Sequence, residues 1–241
     1  MSRKTKQKNM RWLLIGAAAL VGVAALCLLG KPEQSVAPSA PEEQDAGIRI
    51  EDVQSAEVSL PHGLVLQDIG SYTGLYMEDG SNEVLSRILM ITVRNDGEKT
   101  VQYAEIMLSG ETETAHFSLT TLPPGQSAVL LEQNRMAYDG GREVAEIEVN
   151  HVALFPEEPT LQEDKLKLQV QNGMLNVTNI SGEDIAGDIM VYYKNASADM
   201  LYGGITYRVT VSGGLKAGEI RQIPARHLSE GGSRLMFATV S

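Results

Sequence analysis

Residues 85–98 read LSRILMITVRNDGE. The apolar run is nearly unbroken and β-branched at its end, which suits a strand buried on both faces. It stops at Asn95-Asp96-Gly97, a string that favours a tight turn and reads as a hairpin. Short runs of the same kind lie outward on both sides. Upstream, Ala56, Val58 and Leu60 alternate with polar neighbours, as do Leu64 and Leu66; downstream, strands are expected over 101–108, 115–119, 127–131 and 144–152. Ser109-Gly110, Leu122-Pro123-Pro124-Gly125 and Asp139-Gly140-Gly141 separate them. Strands at this spacing, with no helical period among them, predict an all-β sandwich.

At residues 155–160, FPEEPT, two prolines three positions apart exclude a central strand and mark a boundary. The pattern then repeats, with strands expected over 166–170, 174–177, 185–193, 205–211, 219–223 and 235–240. Charge changes at the same place. Residues 48–158 hold nineteen acids and six bases, whereas residues 159–241 hold eight of each. All the excess negative charge beyond the linker therefore sits in the first unit, which argues against a nucleic-acid partner there.

The two units can be laid over each other. Val93-Arg94-Asn95-Asp96-Gly97-Glu98 matches Val177-Thr178-Asn179-Ile180-Ser181-Gly182-Glu183 with one residue inserted, and Leu122-Pro123-Pro124-Gly125-Gln126 matches Leu215-Lys216-Ala217-Gly218-Glu219. Both pairs of segments are expected to turn hairpins. A V-x-N-x-G turn followed by L-x-P-G resembles the extracellular Ig-like β-sandwich modules of bacterial surface proteins, of the fibronectin type III-like and cell-adhesion-related kind. The resemblance covers residues 85–131 and 166–223, and residues 215–218 depart from it in lacking the proline. It implies two tandem Ig-like antiparallel β-sandwiches, a fold used for stalks, spacers and partner-binding units alike.

The beginning of the chain supplies an address. Residues 12–29, WLLIGAAALVGVAALCLL, carry no charge and are long enough to cross a bilayer once as a helix. Arg3, Lys4, Lys6, Lys8 and Arg11 precede them without a single acid, which keeps the N-terminus cytoplasmic. Small residues at Ala37 and Ala40 are each followed by proline, so cleavage is not expected, and Leu26 before Cys27 does not fit a lipoprotein signal. The organisation expected is a basic leader over 1–11, a signal anchor over 12–30, a Pro- and acid-rich linker over 31–47, an acidic β-sandwich over 48–156 and a second over 159–241.

Catalytic signatures are not found in the sequence. The four histidines are far apart, the single cysteine lies in the apolar run, and neither G-x-S-x-G, a P-loop nor G-x-G-x-x-G occurs after it. Residues 78–83 and 95–98 gather oxygen ligands without the order of a calcium loop, and read as solvated turns. No enzyme activity, cofactor or metal is expected. Two glycine-containing stretches, 70–77 and 199–207, are richer in tyrosine and methionine than loops require. They make Tyr72, Leu75, Tyr76, Met200 and Tyr202 a candidate interaction patch. The expected function is a non-catalytic, membrane-anchored, extracytoplasmic protein that binds or scaffolds a protein partner at the cell envelope. The alternative is a ligand- or carbohydrate-binding sensory ectodomain.

Overall fold

The computed structural model describes residues 48–81, 83–141 and 144–241. The expected leader, anchor and linker lie outside the described residues. No helix among those described is long and apolar enough to cross a membrane.

The fold is all-β, in three sheets. The first half supplies β1 (Arg49–Ser59), β2 (Leu64–Leu75), β3 (Val84–Asn95), β4 (Val101–Ser109), β5 (Thr114–Leu122), β6 (Ser127–Leu131) and β7 (Glu146–Leu154). The second half supplies β8 (Leu166–Gln171), β9 (Met174–Asn179), β10 (Ile189–Ser197), β11 (Met200–Val211), β12 (Ile220–Pro224) and β13 (Ser233–Val240). One sheet of seven strands runs β1-β2-β3-β6-β11-β10-β13, and two sheets of three strands run β5-β4-β7 and β12-β9-β8.

Each half has an apolar core, and the first also takes in Ala196 and Leu201 of the second half. In the first, Leu64, Leu66, Leu89, Ile91, Val93 and Leu130 of the long sheet meet Ala104, Ile106, Phe117 and Leu119 of β4 and β5. In the second, Ile189, Val191, Val209 and Val211 meet Leu166, Leu175 and Val177. Burying a side chain of this size stabilises the fold by about 1.5–3 kcal/mol. β3 is covered on both faces, as its sequence predicts: Leu89, Ile91 and Val93 enter the first core, while Ile88 and Met90 enter a third cluster on the opposite face. The 155–160 boundary falls between β7 and β8. Across it the halves share one sheet, through parallel pairing of Met200, Leu201 and Tyr202 with Ser127, Ala128 and Val129.

The repeat extends to individual hydrogen bonds. Asn95 is fully buried, and its side-chain amide donates to the carbonyls of Lys99 at 3.0 Å and Leu122 at 2.8 Å while its Oδ1 accepts from Gly97 N–H. Asn179, equally buried, donates to the carbonyls of Glu183 at 2.7 Å and Leu215 at 3.0 Å while its Oδ1 accepts from Ser181 N–H. The backbone amides of the two asparagines donate to the Gln126 and Glu219 carbonyls, and their carbonyls accept from Gly125 and Gly218. Strand register agrees: Leu64 pairs with Asn95 as Leu166 pairs with Asn179, and Arg94 with Ser127 as Thr178 with Ile220.

Two expectations are corrected by this geometry. The bonds place Gly97 opposite Ser181 and Lys99 opposite Glu183, so no residue is inserted within this segment of the repeat. The turns are not hairpins either. β3 and β4 belong to different sheets, as do β5 and β6, so both segments carry the chain from one layer to the other. The asparagine ties the two crossings together, because its amide satisfies carbonyls that neither sheet can reach.

Candidate functional site

The five residues of the expected patch come together in space, chiefly from strands rather than loops. Tyr72 and Leu75 belong to β2, and Met200 and Tyr202 to β11; only Tyr76 lies beyond a strand end. Glycine-containing segments can remain in a sheet where another chain element passes close by. Gly204 shows this, since a Cβ there would stand 1.8 Å from the Ser118 carbonyl oxygen. With Met77, Ile88, Met90, Val129 and Leu131, four of the five, Tyr72, Tyr76, Met200 and Tyr202, form the third cluster, over the join between β6 and β11, while Leu75 lies outside it and lines the adjoining cavity.

Their exposure differs. Tyr72 and Tyr76 are buried, whereas Leu75, Met200 and Tyr202 remain half-exposed. The Tyr72 hydroxyl donates to the Leu75 carbonyl at 2.8 Å, and that of Tyr76 to the Gln133 carbonyl at 3.0 Å. Burial raises both phenol pKa values, that of Tyr76 to about 12, with the nearby Glu78 charge adding to the effect. A cavity of about 360 Å³ opens alongside, lined in part by Leu75, Met77, Asn195, Tyr202, His227 and Leu228. His227 stacks on Tyr207 with ring centres 4.7 Å apart, and burial together with Arg226 holds its pKa below the ordinary value.

Under the cluster sits an arrangement that the sequence did not announce. After three residue pairs the β6–β11 ladder opens, and the Glu78 carboxylate enters the fork. It accepts from Leu131 N–H at 2.9 Å and from Gly204 N–H at 2.7 Å. On the other side of Gly204, the fully buried Lys194 ammonium donates to the carbonyls of Thr120 at 2.9 Å, Gly204 at 3.1 Å and Ile205 at 2.8 Å. All three of its protons can thus be used on backbone oxygens from both halves. Desolvation pushes the Lys194 pKa down to about 7, with the Glu78 charge opposing that shift. Desolvation also raises Glu78, against its amide hydrogen bonds and Lys194. The Thr120 and Thr206 hydroxyls bond across the same seam at 2.8 Å.

Nothing local marks these two residues. Lys194 follows an apolar stretch, MVYY, where strand alternation would make a lysine a solvated edge residue. Glu78 opens an acidic turn. Of the other oxygens in that turn, Asp79 and Glu83 are both held by Arg135, at 2.9 and 2.7 Å, while the guanidinium lies 4.8 Å from the Tyr76 ring centre. In the 95–98 segment Asn95 forms its latch and Asp96 pairs with Arg94. Among the described residues no group of three or more His, Cys, Asp or Glu side chains is placed to hold a metal ion.

No family model, curated protein or solved structure matches this chain.

Proposed function

We propose that the chain is a single-pass membrane protein with a cytoplasmic N-terminus, whose two extracytoplasmic modules are tandem Ig-like β-sandwiches. The modules act without catalysis, binding or positioning a protein partner at the cell envelope. The observation that carries this reading is the seam. A continuous sheet with Glu78 and Lys194 enclosed beneath it favours two modules held in one fixed relation, which suits holding a partner at a set place and angle. The half-exposed Leu75, Met200 and Tyr202 give that partner an apolar footing beside a polar rim. Tyr72 and Tyr76 support the footing from within.

Protease added to intact cells is the test of topology. Digestion of residues 48–241, with a mature N-terminus ahead of Trp12, is expected; protection, or a mature chain starting at Pro38 or Pro41, would sink the reading. Photo-crosslinking from positions 75 and 202 tests the patch. It should capture one dominant envelope protein, whereas crosslinks spread evenly over many proteins would remove the case for a specific partner.

A further inference from the structure

The joint between the halves uses one edge of the first half, and the repeat leaves the same edge of the second half open. Register makes Ser127 of β6 equivalent to Ile220 of β12, since each lies opposite the residue that precedes the latch asparagine. Val129 and Leu131 then correspond to Gln222 and Pro224. In the first half this edge is filled: Ser127 and Val129 pair with Met200 and Tyr202 of β11, and Leu131 N–H donates to Glu78. In the second half β12 ends its sheet and pairs with β9 alone. Asn179 N–H donates to the Glu219 carbonyl and Ala225 N–H to that of Gly173, so alternation turns the backbone of Ile220, Gln222 and Pro224 away from β9.

Open edges are ordinarily guarded. β1 carries two register shifts and the charges of Arg49, Glu51, Asp52 and Glu57, and on β13 the Ala238 N–H is taken by the Thr160 carbonyl. β12 runs against β9 without a shift, and its one charged side chain, Arg221, is held by Glu219 at 2.6 Å and the Ser212 carbonyl at 2.9 Å. Ile220 beside it is the most exposed large apolar side chain among the described residues, at 63%. The strand is self-complementary about Gln222. Laid antiparallel on a second copy, Gln222 exchanges both backbone bonds with the second copy's Gln222, and each Ile220 N–H donates to the carbonyl of the opposite Pro224. Proline has no N–H, so of these groups only the Ile220 carbonyl stays with water. Ile220 then lies beside Pro224 and Arg221 faces Ile223, so no like charges meet. Residues 159–241 hold eight acids and eight bases, which lets copies approach by the second half, whereas the excess acids of residues 48–158 repel. We propose that this edge joins two copies of the chain into a two-fold dimer, β12 against β12, with one sheet running through both. The dimer requires neither the membrane anchor nor the envelope partner, so those readings can fail without it.

The experiment is sedimentation equilibrium of the full chain in density-matched detergent, from about 1 to 200 µM. The protein mass should rise across that range from one chain to two. Gln222→Pro removes an N–H that points away from β9, so the fold keeps its ladder while the dimer loses both central bonds; association should weaken at least about tenfold. Ile220→Lys should weaken it about tenfold as well and leave the melting temperature of the monomer unchanged. In a Cys27→Ser background, Gln222→Cys should give a covalent dimer with a short bismaleimide, because the axis brings the two positions together, and Glu111→Cys should not. A monomer at every concentration, a dimer that Gln222→Pro leaves intact, as pairing through residues 12–29 would be, or equal cross-linking from positions 222 and 111 would overturn the proposal.

Discussion

The asparagine latches and the seam hold the same molecule together by different means. Each latch lies within one half, and the two make the same five hydrogen bonds although their surrounding residues differ. The seam instead joins positions as far apart as Glu78 and Gly204, through one carboxylate and one ammonium that are each used once. The contrast teaches that the repeated part of the fold is carried by short local motifs, while the relation between the repeats depends on single residues.

The largest effect is expected from Lys194→Met. It removes three hydrogen bonds to backbone carbonyls, of which only that of Gly204 keeps a second donor in the Thr120 hydroxyl among the bonds described here, and leaves the Glu78 charge without its neighbour, a loss of about 3–5 kcal/mol. Because each half keeps its own core and latch, calorimetry should also resolve two unfolding transitions in place of one. A single, barely shifted transition would dissolve the distinction between latch and seam. Next come Asn95→Ala and Asn179→Ala, each expected to cost about 2–3 kcal/mol in chemical denaturation, since each strands buried carbonyls. The two costs should agree to within about 1 kcal/mol, and a large inequality would break the equivalence of the repeats.

The seam carries a pH dependence that the uncharged asparagine latches lack. Lys194 titrates near 7 in the folded chain and at its ordinary 10.5 when unfolded, so the unfolded state binds more protons between those values. Stability should therefore climb as pH rises from about 7 toward 10.5, and Lys194→Met should flatten that slope. Glu78, raised above its ordinary value, works with the opposite sign at the acidic end. Melting curves across this range measure the slope directly; a fall in stability over the same interval would contradict the buried position of Lys194. The smallest effect is expected from Arg135→Ala, which removes two exposed ion pairs and the guanidinium over the Tyr76 ring and should cost about 1 kcal/mol.

Much of the fold was legible because its signals are local. Residues 127–131 form β6 with the expected bounds, and the apolar run ending at Val93 is buried on both faces. Asn95 and Asn179 could be found from turn composition, although their task of tying two layers could not, since it depends on carbonyls 27 and 36 positions away. The site was legible in part. Tyrosine and methionine beside glycine picked out the cluster, but glycine suggested loops where close packing requires strands. Lys194 and Glu78 gave no signal, because a charged residue in a strand or turn normally faces water, and only the neighbouring half reveals that Lys194 is enclosed and that the half-buried Glu78 turns its carboxylate onto backbone amides.

β1 forms its ladder with β2 alone, adding one exposed ion pair from Asp52 to Arg87 of β3, and its side chains are exposed at every position but Ala56. Any pull transmitted along the preceding residues reaches this strand before anything else. Peeled away, its eleven residues would pay out about 40 Å of slack while both cores stay closed. The strand would thus act as a mechanical fuse, yielding first and delaying the moment at which load reaches the joint between the two halves.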